Sequence, residues 1–89
     1  MNTSMLLMVQ YNAMAIIPVA TAVSDYFPHL TTDKFVRKVS AGEINIPLIR
    51  IEAGSQKAAK GIHLADLAAY LDIRRAAAQK EANQLAGVH

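Results

Sequence analysis

The sequence contains no cysteine and no tryptophan, and only 6% of its 89 residues are aromatic. Without cysteine, neither a disulfide framework nor a thiolate zinc site can form. No lysine or arginine precedes Lys34, so the positive region that begins a secretory signal is missing. The apolar runs at 5–9 and 13–20 are too short to cross a bilayer, and Pro18 interrupts the second. We therefore expect a cytoplasmic protein with no membrane contact.

Groups of residues that could carry out catalysis are also missing. The histidines are isolated in sequence, and the serines have no neighbouring base. His63 and Asp66 could share a helix face, but two ligands without a third do not make a metal site. We interpret His63 as a partly buried structural residue. The sequence predicts a protein that is not an enzyme and that uses no metal and no cofactor.

The clearest local signal is the stretch from Thr31 to Gly42, which predicts a short helix with both ends marked. Thr31 or Thr32 can cap the first turn, because a hydroxyl oxygen accepts from a free backbone N–H. Asp33 adds negative charge where the helix dipole is positive. Gly42 stands where a left-handed residue commonly ends a helix.

This predicted helix has an apolar face and a basic face. The apolar residues recur at three- and four-residue spacing, at Phe35, Val36 and Val39. The basic residues lie on the other side with no acid among them, at Lys34, Arg37 and Lys38. Such a helix suits DNA recognition, with the apolar face docked on a scaffold and the basic face toward phosphates and bases. An ordinary surface helix with solvated lysines has the same pattern.

Positive charge is concentrated in the middle of the chain. The net charge is only +2, but residues 34–60 hold six basic residues against two acids, so they carry +4 and the remainder carries −2. A basic middle between neutral or acidic ends suggests one positive face, as in proteins that bind nucleic acid.

The segments around the basic helix complete a helix-turn-helix pattern. Residues 19–26 fit a short preceding helix, which Pro28 ends, and two short helices joined by a tight turn are typical of this motif. A strand at about 48–52, a loop and a short return strand at 61–63 form a hairpin that we interpret as a wing. Its basic residues, expected on a phosphate backbone, are Arg50, Lys57 and Lys60. A flexible hairpin with incidental lysines is the alternative.

The two ends of the chain predict contacts beyond the core. Residues 4–14 favour a helix that is apolar on most sides, and a strand is the alternative. Such a helix is buried in the core or against another subunit. The last helix opens at Leu64, and a seven-residue repeat joins Leu64, Leu71, Ala78 and Leu85. We divide the chain into a DNA-binding domain at 1–75 and a helical tail at 76–89, which either pairs with another copy or frays.

Several short segments resemble known families. Segments 40–44 and 64–71 resemble small winged helix-turn-helix domains of the excisionase and MerR type. A closer resemblance, to the pyocin activator protein family, covers nearly the whole chain, at 6–8, 10–12, 17–19, 34–39, 50–52, 55–57, 60–61 and 63–67. It implies a bacterial, often phage-derived transcriptional activator that binds repeated DNA boxes upstream of genes for phage-tail-like bacteriocins. The resemblance transfers no base-contacting residues, and the part after Arg75 carries little of it.

Taken together, these features predict a mainly α fold with a small β-hairpin, a winged helix-turn-helix with a C-terminal helix. The expected function is sequence-specific DNA binding by a homo-oligomeric activator, with RNA polymerase as a possible contact. The candidate DNA-binding residues are Thr32, Lys34, Arg37, Lys38, Ser40, Arg50, Lys57 and Lys60. Two alternatives remain open: a protein-interaction module without DNA binding, and an architectural protein of excisionase type that bends DNA.

Overall fold

The computed structural model describes residues 2–54 and 59–87. These residues form helices and short strands in the order α1 (Thr3–Gln10), β1 (Ile16–Pro18), α2 (Val19–Tyr26), α3 (Thr32–Ser40), β2 (Ile49–Arg50), β3 (Lys60–His63) and α4 (Leu64–Leu85). The fold is mainly helical with a small antiparallel sheet, which confirms the predicted class. The predicted hairpin is present as β2 and β3, and a third strand joins it.

The sheet has the strand order β1-β3-β2, with β3 antiparallel to both neighbours. No strand was predicted at Ile16–Pro18, and these residues form the edge strand β1. Ile17 lies opposite Ile62, and both side chains are fully buried. At Gly61 the strands approach so closely that a Cβ atom would lie 2.4 Å from Ile16 Cγ2, so this position requires glycine.

The hydrophobic core lies between the sheet and the four helices. Its largest fully buried side chains are Ile17, Phe35, Ile62 and Leu67. The ring of Phe27 packs against Phe35 at a centroid separation of 4.8 Å and against Tyr70 at 5.7 Å. Helix α2 faces this core with its buried residues Val19, Ala22 and Val23.

Helix α1 is capped by a residue before its first turn, and it is not buried in the core of its own chain. Its N-cap is Asn2, whose side chain accepts from the Met5 amide at 2.8 Å, because Thr3 is already helical. Within the described chain α1 buries only Leu7, so it is not a core helix. Two residues with positive φ, Asn12 and Ala13, close its C-terminus and turn the chain toward β1.

Tyrosine hydrogen bonds connect α1 to α2. The Tyr11 hydroxyl donates to Asp25 Oδ2 at 2.6 Å, and the Tyr26 hydroxyl donates to Gln10 Oε1. Burial, together with the neighbouring Asp25 carboxylate, raises the pKa of Tyr11 well above its usual value. Burial raises the pKa of Tyr26 as well. These shifted groups hold two helices together and lie outside the predicted basic region.

Helix α4 is one unbroken helix from Leu64 to Leu85, and it leaves the core part-way along. Its first three turns bury Leu64, Leu67 and Ala68, whereas every residue from Asp72 to Gly87 is exposed. The described chain accordingly measures 51 × 30 × 20 Å. We call residues 72–85 the projecting segment.

Candidate nucleic-acid interface

Helix α3 folds as its local sequence predicts. Thr31, rather than Thr32, is the N-cap, and its Oγ1 accepts from the Lys34 amide at 3.2 Å. The helix ends at Ser40, and Gly42 adopts a φ of +76°. The Gly42 amide donates to the carbonyl of Val39 at 3.0 Å, which satisfies one of the last free carbonyls of the helix.

The inner and outer faces of α3 are separated as expected. Phe35 is fully buried, and Val36 and Val39 pack against the core from partly buried positions. The candidate residues that are exposed on the outside are Thr32, Lys34, Arg37 and Ser40. This arrangement leaves the outer side chains free to contact another molecule.

The outer face of α3 is less purely basic than the sequence suggested. Lys38 is partly buried, and its Nζ lies 4.0 Å from Glu43 Oε1. Asp33 lies four residues before Arg37, and residues four apart are neighbours on a helix surface. Two of the three cations, Arg37 and Lys38, therefore have an acid nearby. Lys34 has no acidic residue three or four positions away along the helix.

Strands β2 and β3 form the hairpin that we call the wing. Arg50 lies directly opposite Lys60, and the Ile51 amide donates to the Ala59 carbonyl at 3.1 Å, which extends the pairing toward the tip. Residues directly opposite on paired strands present their side chains on the same face. The structure thus places two cations side by side. Lys57, the third predicted wing cation, lies outside the described residues.

A shallow depression brings α3 and the wing together. It has a volume of about 340 Å³ and is lined by the start of α2, by α3 and by the wing, at Pro18, Val19, Ala20, Thr32, Val36, Ala59 and Lys60. Its walls are mostly apolar, and the polar residues among those that line it are Thr32 and Lys60. Two candidates from distant parts of the sequence therefore border one concave surface.

The three cations of α3 do not border this depression. Each residue of an α-helix is rotated by about 100° from the previous one, so Lys34 and Lys38, two positions either side of Val36, lie about 160° from it around the axis. Arg37 lies about 100° from Val36, between the two sides. The structure brings Thr32 and Lys60 to one depression and places Arg50 opposite Lys60. Arg37 is the least distant of the three α3 cations from Val36, and the other two lie on the other side of the helix.

Sequence reasoning did not identify the apolar part of this surface. Ala20 and Val36 line the depression, and Ala20 is exposed. Val36 was assigned to the core-facing side because its spacing from Phe35 and Val39 is helical. No local signal separates a residue that lines a surface depression from one that faces the core.

The histidine prediction is corrected by the structure. His63 is exposed and not partly buried, and it is the N-cap of α4, with its Nδ1 accepting from the Ala65 amide at 3.0 Å. In the described part of the chain, no three His, Asp or Glu residues lie close enough together to hold a metal ion. None of the helices described is long and apolar enough to cross a membrane.

Comparison with known proteins identifies a family that matches most of the chain. The sequence model of a family described as pyocin activator protein PrtN matches residues 3–78. No curated protein and no solved structure matches the chain significantly. The matched region contains every candidate residue on α3 and the wing, and it ends within the projecting segment of α4.

Proposed function

The chain belongs to the pyocin activator protein family, and on this basis we propose that it is a DNA-binding transcriptional activator of pyocin genes. In this proposal α2 and α3 are a helix-turn-helix and the β2–β3 hairpin is its wing. The order of the elements supports it, because α2, the turn at residues 27–31, α3 and the hairpin follow one another directly. The family is one of activators and not of enzymes.

The observation that carries this proposal is the position of Lys60. It borders the depression shared with Thr32 of α3, and it lies directly opposite Arg50 in the wing. Like charges opposite each other on paired strands are destabilising, so this pair is better explained by a negatively charged ligand than by stability. A DNA phosphate next to the wing would neutralise both cations.

The proposed roles follow from where the side chains lie. Arg50 and Lys60 hold the phosphate backbone, and Thr32 and Ser40 are secondary contacts from α3. Lys57, which lies outside the described residues, keeps the phosphate-binding role predicted from the sequence. Arg37 is the proposed base reader, because it is exposed between the wing side and the far flank of α3, and a guanidinium can pair both acceptors of guanine. Lys34 and Lys38 contact phosphates on the other flank. Phosphate contacts supply affinity, while base contacts supply selectivity.

Replacing Arg37 by alanine tests the base-reading role. We expect Arg37→Ala to weaken binding to a specific upstream site by about 1–3 kcal/mol and to affect a scrambled duplex much less. Lys34→Ala should weaken binding to both duplexes equally, because a phosphate contact carries no sequence information. Electrophoretic mobility shifts on the two duplexes measure the difference. An equal loss on both for Arg37→Ala would make it a phosphate contact.

Salt dependence tests the wing. Each phosphate contact contributes a slope of about −0.9 to the plot of log affinity against log salt concentration. Arg50→Ala and Lys60→Ala should each reduce the slope by about one contact, whereas Lys80→Ala, a matched loss of charge in the projecting segment, should leave it unchanged. Equal slopes for all three variants would exclude the wing from the interface.

The exposed apolar surface of α1 favours a second candidate, a protein-interaction module that does not bind DNA. Four large apolar side chains of α1 are exposed, at Met5, Leu6, Met8 and Val9. Titration with a random DNA duplex at low salt separates the two candidates, because non-specific binding depends mainly on charge. The absence of binding under these conditions would favour the interaction module.

A further inference from the structure

Two adjoining parts of the molecule expose apolar side chains without a partner inside the described chain. On α1, Met5 is 50% exposed, Leu6 54% and Val9 71%, and on α4, Leu85 is 86% exposed. The Thr3 hydroxyl donates to Asp72 Oδ1 at 2.5 Å, so α1 begins beside the point where α4 leaves the core. The apolar side of α1 and the projecting segment are therefore neighbours.

The projecting segment needs a covering surface. It contains about four turns of helix, and an isolated helix of this length is only marginally stable in water. All its residues are exposed, and the Thr3 hydroxyl contacts it only at its first residue, Asp72. We propose that its partner is a second copy of this chain, with the two α4 helices packed antiparallel about a twofold axis and with the base of each segment next to α1.

The repeat along α4 identifies the face that would pair. One row recurs every seven residues at Leu71, Ala78 and Leu85, and a second row lies four residues after each of the first two, at Arg75 and Ala82. Alternating spacings of four and three are those of the two apolar rows of a coiled coil. In an antiparallel pair each row packs against the other row of the second helix. Leu71 would then lie opposite Ala82 of the second copy, and Arg75 opposite its Ala78.

Charge complementarity selects the antiparallel orientation. Arg74 and Glu81 occupy equivalent flanking positions, one residue before Arg75 and Ala82 respectively. In an antiparallel pair these flanks face each other, and the same register brings Arg74 next to Glu81 of the second copy. The twofold axis repeats this ion pair. In a parallel pair Arg74 would instead face the opposite flank, where Gln79 offers no charge.

The paired region overlaps the exposed region from Arg75 to Leu85 and meets the core at Leu71, which is partly buried. In this register Leu85 of the second copy reaches the level of Ala68 of the first copy. At that level α4 of the first copy packs against its own core, close to the start of α1. The end of each projecting segment therefore reaches the α1 side of the other copy, and Met5 and Leu6 supply apolar surface there. The inference does not depend on DNA binding, and its tests use no DNA.

The first test is the mass of the full chain in solution. Sedimentation equilibrium at concentrations up to about 0.1 mM should give twice the 9.6 kDa of one chain, or about 19 kDa. A chain that remains monomeric throughout this range would overturn the proposal, whether or not another protein binds the same surface.

Charge reversal tests the orientation. Glu81→Arg places two arginines together at both symmetry-related contacts, and we expect dimer affinity to fall about tenfold or more. Arg74→Glu should have a similar effect, and the double variant Arg74→Glu/Glu81→Arg should restore the dimer. Lys80→Glu, a reversal on the side of α4 away from the proposed contact, should leave affinity unchanged.

Circular dichroism on each variant keeps this test interpretable, because the substituted residues are exposed and the monomer fold should persist. Failure of the double variant to restore dimerisation, with the fold intact, would overturn the antiparallel register. Equal losses for Glu81→Arg and Lys80→Glu would overturn it too, since they would show that net charge and not pairing controls association.

Discussion

The two halves of α4 are both rich in alanine and both helical, but their surroundings differ. The first half also holds Leu64, Leu67 and Leu71, whereas the second half holds only one leucine, Leu85. The first half buries Leu64, Leu67 and Ala68 against the core, whereas the second half is exposed throughout. The difference shows that helix formation follows local propensity, while burial depends on whether other elements lie alongside. A seven-residue apolar pattern identifies a face of the helix and does not say what covers it.

A comparison of two apolar residues in α4 should give the largest effect. Leu67→Ala removes a fully buried side chain, and we expect it to lower the free energy of unfolding by about 2–5 kcal/mol. Ile73→Ala, at a position 62% exposed and outside the proposed pairing rows, should change it by less than about 0.5 kcal/mol. Urea denaturation of both variants measures the contrast. Equal losses would mean that the projecting segment is packed as well as the core half.

Two glycines sharpen the same comparison at a smaller scale. Gly61→Ala forces a methyl group against Ile16 Cγ2 and close to the Ile17 carbonyl oxygen, and we expect it to cost about 1–3 kcal/mol. Gly87→Ala, at a φ of +75° with open space around it, should leave the melting temperature unchanged, because the last turn of α4 can fray.

The steric origin of the Gly61 effect can be checked with a second substitution. Ile16→Ala removes the methyl group that the new Cβ would meet, so the double variant should lose less stability than the sum of the two single variants. Simple additivity would show that the close contact between β1 and β3 is not the cause of the loss.

Ionisation of a buried tyrosine should give the smallest effect. Because the pKa of Tyr11 is raised above 10.0 in the folded state, the folded protein holds this proton more tightly than the unfolded chain does. Its contribution to stability is therefore complete below about pH 10 and is lost as the pH rises further. Tyr11→Phe should lower stability near pH 8 by about 1 kcal/mol, through loss of the hydrogen bond to Asp25, and should make the alkaline decline less steep.

Denaturation curves at pH 8 and at about pH 11 give the free energy of unfolding at each pH, and the difference between the two values measures the alkaline decline of the wild type and of Tyr11→Phe. The pKa of Tyr26 is raised as well, so some alkaline decline should persist in Tyr11→Phe and should diminish further when Tyr26 is also replaced by phenylalanine. If the free energy of unfolding of the double variant falls between these two pH values as much as that of the wild type, the decline comes from other groups.

Local signals predicted the helices well. The cap at Thr31, the left-handed Gly42 and the bounds of α2 were all expected from neighbouring residues, because caps, prolines and glycines act within one or two turns. Helix α1 was expected within residues 4–14 and begins at Thr3 with Asn2 as its cap, a shift that falls within one turn.

The candidate site was predicted less completely. Periodicity identified the outward-facing cations of α3, and of these Lys34 and Arg37 are exposed, as are the candidates Thr32 and Ser40. Periodicity did not reveal that Lys38 lies next to Glu43, since that contact depends on the path of the chain after the helix. It also could not show that Lys34 and Lys38 lie away from the wing, because the position of the wing is set by the sheet.

The sequence by itself determined where most helices begin and end, and it placed the excess positive charge in the middle of the chain. Only the tertiary structure decided that β1 joins the sheet, that Arg50 lies opposite Lys60, and that α1 buries a single side chain. The reason is the range of the interactions involved. Capping and propensity act between neighbouring residues, whereas strand register and burial depend on contacts between segments that are far apart in sequence.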